Sequence, residues 1–392
     1  MNIEHVGRRC CSCKNCEMIC PVNAIRFRKD KYGFEYPEIN YEKCIDCGRC
    51  YSICPVVNPA NIKKEVYESG VAYSLDNEVK YNGSSGGLFG TFAKAIINQE
   101  GIVFGAAFDS DLQLKTTSAE NDEELMPLYK SKYLLCDTYN EFNHIKEELD
   151  NERKVLYCAT PCQIHALKLY LKKEYSNLFL IDFVCHGVGS QDALNRSVSY
   201  SEKKLKAKIK KIVFRYKEKD ASSHYYCFHC EKEKNIFTKK DLYLTFPYYN
   251  AYCKQLVCRD NCYDCPFASK ERVSDITIGD FHEIAKYDSS IDRFAGVSMF
   301  LCNTEKGYSL LNRVRNQLFI KNMDVNILYE NNRFDNHVYI PEEREAFLES
   351  LSSDSFDITV KKFLNPSKDW KRIIYYNSPS IIRKIARKMV GE

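Results

Sequence analysis

Eight cysteines near the N-terminus stand at two sets of identical spacings. They form two C-x2-C-x2-C-x3-C-P runs, which comprise Cys10, Cys13, Cys16 and Cys20 and then Cys44, Cys47, Cys50 and Cys54. Three thiolates on one short loop can bind three irons of a cubane cluster, and the fourth iron is then reached from the other loop. The spacing therefore predicts one [4Fe–4S] cluster bound by Cys10, Cys13, Cys16 and Cys54, and another bound by Cys44, Cys47, Cys50 and Cys20.

This arrangement is typical of a bacterial two-cluster ferredoxin domain, here expected over residues 1–60. The alternative is a pair of zinc knuckles, but zinc ligands usually occur as two separated pairs. Cys11 lies outside the register of both runs and is interpreted as a spare cysteine. Such clusters transfer one electron at a time, so the redox group that exchanges electrons with them must be sought in the rest of the chain.

Four later cysteines form a second candidate metal site. Cys262 and Cys265 stand in the stretch "NCYDCP", whereas Cys162 and Cys185 each follow a predicted strand. We expect these four thiolates to bind a third [4Fe–4S] cluster.

The secondary-structure elements predicted around these cysteines explain how residues far apart in the sequence would meet. Residues 155–158 form an apolar strand pattern, residues 163–171 a helical pattern, and "NLFLIDFV" a second buried strand that ends at Cys185. A strand, helix and strand in this order predict a right-handed crossover with parallel strands. A third strand, residues 274–282, is expected beside them. Open α/β sheets bind ligands at the carboxyl edge of their strands, where Cys162 and Cys185 would both lie.

Two other interpretations of the late cysteines compete with this one. Cys258, Cys262 and Cys265 also fit C-x3-C-x2-C, the spacing of radical S-adenosylmethionine enzymes, although that motif normally follows a first barrel strand. Alternatively, Cys227 and Cys230 could join Cys262 and Cys265 in a zinc ribbon.

A glycine- and serine-rich segment precedes a helical pattern in the middle of the chain. It comprises Gly83, Ser84, Ser85, Gly86 and Gly87, and a strand pattern at residues 102–108 follows the helix. Backbone N–H groups at a helix start suit a phosphate or pyrophosphate. A plain helix start with close packing is the alternative. The polar residues Lys130, Ser131, Lys132 and Tyr133 offer further ligand contacts or form a solvated loop.

Composition excludes several classes of protein. The 392 residues are 28% charged and 44% hydrophobic, with a net charge of +4, which does not indicate a nucleic-acid partner. We find no transmembrane run and no secretory signal. Twenty cysteines without such a signal favour metal or redox sites in the cytoplasm. The lysine-rich residues 201–219 are interpreted as a solvated face beside a strand, with docking of an acidic ferredoxin as the alternative. The basic C-terminal segment with Ile381 and Met389 could pack against its own domain or contact a membrane surface.

Several motifs together resemble the coenzyme F420 hydrogenase/dehydrogenase beta-subunit family. They are "NGSSGG", "SKYLLCD", "ATPCQIHAL", "IDFVCHGVGS", "IKKIVFRYKEK", "CYDCPFASKERVSDITIGDF" and "GVSMFLCNTEKG", in that order over roughly residues 1–310. The sequence departs from the family at Cys258, where many members have leucine, and at Gly189, where many have proline.

The resemblance implies a flavoprotein with FAD next to a [4Fe–4S] cluster. Flavin contacts implied by the motifs are Gly83, Ser84, Ser85, Gly86, Gly87, Lys132, Tyr133, Thr160, Pro161 and Gln163. Implied ligands of the third cluster are Cys162, Cys185, Cys262 and Cys265, with Cys258 as an alternative. The electron-pair partner in such proteins is a deazaflavin or a chlorophyll-type ring.

The sequence as a whole predicts an α/β protein, α+β in total, in which a small two-cluster ferredoxin domain precedes a mixed α/β domain that binds flavin and a cluster. Expected segments are the ferredoxin domain at 1–60, a flavin-binding part at 70–150, a part with the third cluster at 151–310 and a helical extension at 311–392. The expected function is a flavin-dependent iron–sulfur oxidoreductase that exchanges electrons with a redox partner protein or ferredoxin and with a small-molecule carrier. The alternative is a non-catalytic electron-relay subunit of a larger complex.

Overall fold

The computed structural model describes residues 2–59, 66–217, 224–291, 296–332, 334–335 and 338–378. They divide into two compact units. The first contains the described residues up to Gln191 and those from Cys258 to Tyr339, and the second contains those from Asp192 to Val257 and from Ile340 onward. The boundaries expected at residues 150 and 310 do not coincide with this division, because residues 192–257 belong to the second unit.

The two N-terminal cysteine runs are joined by the predicted hairpin. Strand β1 (Ile25–Lys29) pairs antiparallel with β2 (Glu35–Ile39). The Asp30 carboxylate closes the turn by accepting hydrogen bonds from the amides of Tyr32 and Phe34, both at 2.9 Å. A small ferredoxin-like region thus precedes the large sheet.

The remaining strands belong to one large sheet and one small sheet. They are β3 (Glu68–Ser74), β4 (Ile102–Phe108), β5 (Leu114–Ala119), β6 (Val155–Ala159), β7 (Leu178–Phe183), β8 (Lys208–Tyr216), β9 (Tyr225–Lys232), β10 (Asn235–Leu242), β11 (Ile276–Asp280), β12 (Ser298–Cys302) and β13 (Leu318–Asn322). The large sheet has the order β13-β3-β12-β11-β7-β6-β4-β5 and lies in the first unit.

The α-helices vary from one turn to four. They are α1 (Asn15–Met18), α2 (Arg49–Ser52), α3 (Asn77–Asn82), α4 (Leu88–Ile97), α5 (Asp122–Leu125), α6 (Glu141–Asp150), α7 (Pro161–Leu171), α8 (Gln191–Leu205), α9 (Pro247–Cys253), α10 (Asp260–Tyr263), α11 (Ile284–Tyr287), α12 (Glu305–Val314), α13 (Val325–Asn332), α14 (Arg344–Ser353), α15 (Phe356–Phe363) and α16 (Trp370–Asn377). Within the described ranges, none is long and apolar enough to cross a membrane. The predicted basic helix around Ile381–Met389 lies outside these ranges.

The central strands of the large sheet run parallel, as the sequence predicts. β4, β6, β7 and β11 pair in parallel, and α7 makes the crossover between β6 and β7. Their continuous apolar runs are buried because both faces of a parallel sheet are covered. The carboxyl ends of these four strands therefore meet at one edge, and Cys162 and Cys185 lie just beyond it.

Strand β3 ends at the same edge. It pairs antiparallel with β12, and β12 pairs antiparallel with β11, so β3 and β11 run in the same direction. The glycine-rich segment follows β3 and α3 along the chain. Strand β13 pairs with the other side of β3, so the expected helical extension at 311–392 contributes a strand to this sheet.

The second unit is built around the antiparallel sheet β10-β9-β8. Its core is aromatic: the Phe214 and Phe246 rings stack at 5.7 Å, and Tyr249 packs edge-on against Phe214 at 5.2 Å. The lysine-rich residues 201–217 form the end of α8 and strand β8, where exposed lysines alternate with buried apolar residues.

Candidate cluster-binding and flavin-binding site

Four cysteines from three separate segments line one cavity in the first unit. Cys162 lies in the first turn of α7, Cys185 lies two residues beyond β7, Cys262 lies in α10, and Cys265 follows that helix. All four border the same cavity of about 40 Å³. In the described ranges no three His, Cys, Asp or Glu side chains are grouped closely enough to hold a metal ion. These cysteines are recognised instead by the shared cavity and by their electrostatic effects on one another.

The buried thiols of this group raise one another's pKa. Burial raises the pKa of Cys185 and of Cys262 well above the usual range, and neighbouring cysteines add to both shifts. Burial also raises the pKa of Cys265 to about 11, with Cys162 as the next contribution. A bound cation reverses this preference, because a thiol that coordinates a metal is deprotonated. Four free thiolates at this position would therefore be costly without a bound cation.

Backbone N–H groups surround the same sulfurs and favour their thiolate forms. The Gln163 amide donates to the Cys162 sulfur, and the Gly187 amide donates to the Cys185 sulfur. The Val188 amide donates to Cys262, and the amides of Phe267 and Ala268 donate to Cys265. Hydrogen bonds to cysteine sulfur stabilise negative charge and are one means by which proteins set cluster potentials.

A buried guanidinium lines the same cavity. Arg272 is 4% exposed, and its Nε and Nη1 atoms have no hydrogen-bond partner among the described residues. Its Nη1 lies 3.6 Å from the buried carboxylate of Asp182. Unsatisfied buried donors are rare and indicate a missing acceptor. Four thiolates around iron carry net negative charge, so the donor set and this arginine fit a [4Fe–4S] cluster.

The alternative ligand Cys258 is buried against Gly187 rather than exposed to this cavity. A Cβ atom on Gly187 would lie 2.9 Å from the Cys258 sulfur, and Gly187 also has φ +98°, so only glycine is compatible with this position. Cys258 does not line the cavity, although it contributes to the raised pKa of Cys262. The geometry therefore favours Cys162, Cys185, Cys262 and Cys265 over a set that includes Cys258.

The zinc-ribbon interpretation is not supported by the placement of Cys227 and Cys230. Both lie on β9, in the second unit, three residues apart in an unbroken register with β10. Successive side chains of a strand point to opposite faces, so residues three apart cannot present their thiols to the same ion.

The structure brings several of the predicted ferredoxin ligands close together. Cys20, Cys44, Cys47 and Cys50 line a cavity of about 20 Å³. In the other group, burial raises the pKa of Cys16, and Cys10 and Cys54 add to the shift. Amide groups also contact the sulfurs: Ser12 donates to Cys10 at 3.3 Å and Ala24 donates to Cys20 at 3.2 Å.

Arg259 connects the late cysteine segment to the first ferredoxin group. It is 1% exposed, and its Nε and Nη2 atoms donate to the carbonyls of Cys10 and Glu35, both at 2.7 Å. Its guanidinium lies 4.1 Å above the Tyr36 ring. Burial raises the pKa of the Cys10 thiol, and the charge of Arg259 opposes that shift. A buried cation therefore lies next to a predicted cluster ligand.

Cys11 has a position that the sequence did not reveal. It lines the cavity of the late cysteines, and its buried thiol lies close to those of Cys13 and Cys162. The position of Cys11 directly after Cys10 in the sequence does not indicate this proximity, because it depends on how the N-terminal loop packs against α7. The side chain interpreted as a spare thus lies between a predicted ferredoxin ligand and a predicted ligand of the third cluster.

The glycine-rich segment packs closely against the strand edge. The Gly86 amide donates to the Ser298 hydroxyl at 2.8 Å, and a Cβ atom on Gly86 would lie 2.5 Å from the Ala72 carbonyl oxygen. Gly87 has φ +84° and immediately precedes α4. Close packing therefore explains the glycine at position 86, as the alternative interpretation expected. The Ser84 hydroxyl contacts that of Ser131 at 2.9 Å, which links the segment to the second polar cluster.

Of the remaining predicted flavin contacts, Thr160, Pro161 and Gln163 follow the carboxyl end of β6. The Lys132 ammonium donates to the carbonyls of Pro127 and Tyr129 at 2.8 and 2.7 Å. The Thr160 hydroxyl lies 3.1 Å from the Cys162 sulfur, and Gln163 donates to the Cys136 carbonyl at 2.9 Å. Thr160, Pro161 and Gln163 border the cysteine cavity itself.

Gly189 accounts for one departure from the family pattern. Its amide donates to the Tyr133 carbonyl at 3.4 Å, and its carbonyl accepts from the Leu135 amide at 3.1 Å. Proline has no N–H group and could not make the first of these bonds. The polar cluster around Lys132 is thereby held next to the segment that carries Cys185.

Comparisons with known proteins match two parts of the chain. Residues 152–326 match the family described as the C terminus of the coenzyme F420 hydrogenase/dehydrogenase beta subunit, and residues 9–58 match the 4Fe-4S dicluster domain family. A solved structure, a xenon derivative of the F420-reducing [NiFe] hydrogenase complex from Methanosarcina barkeri, is 16% identical with a TM-score of 0.46. The match covers 73% of this chain and 92% of that chain. No curated protein matches.

The two family matches confirm the resemblance seen in the motifs and the prediction of a domain that holds two [4Fe–4S] clusters. Residues 9–58 form a 4Fe-4S dicluster domain, and residues 152–326 form a segment of the family described as the C terminus of the coenzyme F420 hydrogenase/dehydrogenase beta subunit.

Proposed function

We propose that this protein is an iron–sulfur flavoprotein oxidoreductase. It passes single electrons between the ferredoxin clusters and a third [4Fe–4S] cluster, and electron pairs between a flavin and a small conjugated substrate such as a deazaflavin. The observation that carries the proposal is the meeting of Cys162, Cys185, Cys262 and Cys265 at one cavity.

The third cluster would be held by those four cysteines. Arg272 supports this assignment, because its buried and unsatisfied N–H groups favour an anionic group in the cavity. Backbone N–H groups at each sulfur would stabilise the thiolates and set the cluster potential. Cys11 would contact this cluster's ligand Cys162 from the side of the ferredoxin domain.

The flavin would lie along the carboxyl edge of the large sheet. Strand β3, which leads towards Gly83–Gly87, and strand β6, which leads to Thr160–Gln163, both end at that edge. Three strands lie between β3 and β6, so the two strands are four spacings apart, or roughly 19 Å at about 4.8 Å per spacing. A flavin, when bound, converts between single electrons and electron pairs, which is what links one-electron clusters to organic reductions. The protein's part is to orient the cofactor and exclude water.

The proposed enzyme and the alternative, an electron-relay subunit, are distinguished by whether the isolated chain has activity without a partner protein. Full-length protein is purified anaerobically, its iron and flavin are quantified, and candidate deazaflavins and NAD(P)H are tested with a viologen dye as the other electron carrier. The proposal expects bound flavin and dye-coupled turnover by the isolated chain. Protein that binds no FAD or FMN at saturating concentration would refute the flavoprotein assignment, and flavin-loaded protein inert towards every donor would favour the relay.

A further inference from the structure

A second cavity in the first unit lies at the ferredoxin-like region and shares no lining residue with the cysteine cavity. Its volume is about 910 Å³. One wall is formed by residues of the N-terminal region: Ile19, Arg49, Ser52 and Ile53. The other is formed by α7 and the residues after it, which include His165, Lys168 and Lys172. We call this feature the basic groove.

The walls of the basic groove carry a net positive charge. Its charged residues are Arg49, Lys168, Lys172, Lys173 and Glu174. Lys168 pairs with Glu174 at 2.8 Å, and Lys173 lies 3.5 Å from an Asp150 carboxylate oxygen. In the part of the chain that the structure describes, Arg49 and Lys172 are exposed and have no carboxylate within 4.0 Å. These two cations are therefore available to a negatively charged partner.

The basic groove lies next to residues that belong to both predicted electron-transfer sites. Ser52 and Ile53 stand between the predicted ligands Cys50 and Cys54. On the other wall, His165 packs its ring at 5.4 Å from Phe267, a residue that borders the cysteine cavity. Burial lowers the pKa of His165 to about 4, so this ring is neutral at pH 7 and adds no charge to the wall.

From this placement, and resting on the proposed function, we propose that the basic groove docks an acidic one-electron carrier protein of the ferredoxin type. The clusters beside it exchange single electrons, so a partner at this position must be a one-electron carrier rather than the two-electron substrate. Opposite charge steers such carriers to their docking sites and orients them, which raises association rates at low salt. The apolar floor of Ile19, Ile53 and Leu169 suits a convex segment of that partner.

Binding of a small acidic two-[4Fe–4S] ferredoxin tests the inference independently of turnover. The dissociation constant and association rate are measured for the anaerobically purified full chain at low and high ionic strength. In the double variant Arg49→Glu/Lys172→Glu, we expect binding at low salt to weaken by about tenfold or more, mainly through slower association. Raising the salt should remove most of the difference, because exposed charges are screened.

The matched control is Lys203→Glu/Lys206→Glu, which makes the same charge change at exposed lysines of the second unit. It also tests the lysine-rich segment as the docking site. Binding that is weakened only by the control, or equally by both variants, overturns the proposal. So does a wild-type chain that binds tripolyphosphate in the groove but not ferredoxin. Iron and flavin content are measured in each sample, so a failure of the proposed cofactors is seen separately from a failure of docking.

Discussion

The buried thiol of Cys11, in the N-terminal loop, lies close to Cys162 at the start of α7, and both residues line one cavity. The same thiol also lies close to Cys13, so one side chain stands between a predicted ferredoxin ligand and a predicted ligand of the third cluster. Residues about 150 positions apart in the sequence thus meet, and Cys11 would provide a short path between the two predicted metal sites.

Replacement of Cys11 should separate metal binding from electron transfer. We expect Cys11→Ala to keep the wild-type iron content, because Cys11 is not among the twelve predicted ligands, and to slow electron passage between flavin and ferredoxin clusters severalfold. Cys11→Ser keeps a hydrogen-bonding group and should be slowed less. Rapid-mixing spectroscopy and iron analysis measure both properties. Loss of about four irons would instead identify Cys11 as a ligand.

A suitable control for this experiment is Cys302→Ala. Cys302 is fully buried in β12 and does not line the cysteine cavity. This variant should cost packing energy alone and leave the electron-transfer rate unchanged.

With the proposed third cluster, each chain should bind about twelve irons, four in each of three clusters. Cys185→Ser, Cys262→Ser and Cys265→Ser should each lower the count to about eight, because serine is a harder and far less acidic donor than a thiolate. Cys162→Ser should do the same. Elemental analysis and electron paramagnetic resonance of the anaerobic protein provide the measurement.

Matched variants for the iron count are Cys227→Ser and Cys230→Ser. These buried cysteines lie on opposite faces of β9 and should keep all twelve irons. A wild-type count near eight together with bound zinc would contradict the third cluster.

Arg259 should raise the reduction potential of the cluster bound by Cys10. Its buried positive charge favours the more negative, reduced state, and Arg259→Met removes that charge. We expect the potential to fall by roughly 100 mV or more, because a unit charge about 4–8 Å away contributes about 2–4 kcal/mol at an effective dielectric constant of about 20. Redox titration followed by electron paramagnetic resonance measures the shift.

Two comparison variants isolate the effect of charge at Arg259. Arg259→Lys keeps the charge and should recover most of the potential, although it cannot keep both hydrogen bonds to Cys10 and Glu35. Arg8→Met removes an exposed arginine that pairs with Asp260 at 2.7 Å, and it should shift the potential little. Equal shifts in Arg8→Met and Arg259→Met would refute a specific role for burial.

The glycine-rich segment calls for a test that separates packing from flavin binding. Gly86→Ala should destabilise the fold by roughly 1–3 kcal/mol, because the added Cβ atom meets the Ala72 carbonyl oxygen at 2.5 Å. Ser84→Ala removes only the contact with the Ser131 hydroxyl and should preserve stability. We expect Ser84→Ala to weaken flavin retention without changing the melting temperature. Unchanged flavin affinity in that variant would remove this segment from the flavin site.

The sequence by itself determined the features that depend on local spacing. Two four-cysteine runs require close placement on short loops, so the ferredoxin ligands followed from their intervals alone. The continuous apolar runs before Cys162 and Cys185 determined two parallel strands and the helix between them, because only strands buried on both faces tolerate such runs. The common edge for these two cysteines then followed from the parallel direction of the two strands.

Only the tertiary structure decided which distant side chains meet at that edge. The contact between Cys11 and Cys162, the buried position of Arg259 beside Cys10 and the orphaned donors of Arg272 leave no periodic signal in the sequence. Each depends on the packing of segments far apart in the chain. Gly86 shows the same limit: a glycine before a helix fits a phosphate loop or a crowded strand edge equally well, and only the Ala72 carbonyl 2.5 Å from its absent Cβ atom shows that the strand edge is crowded.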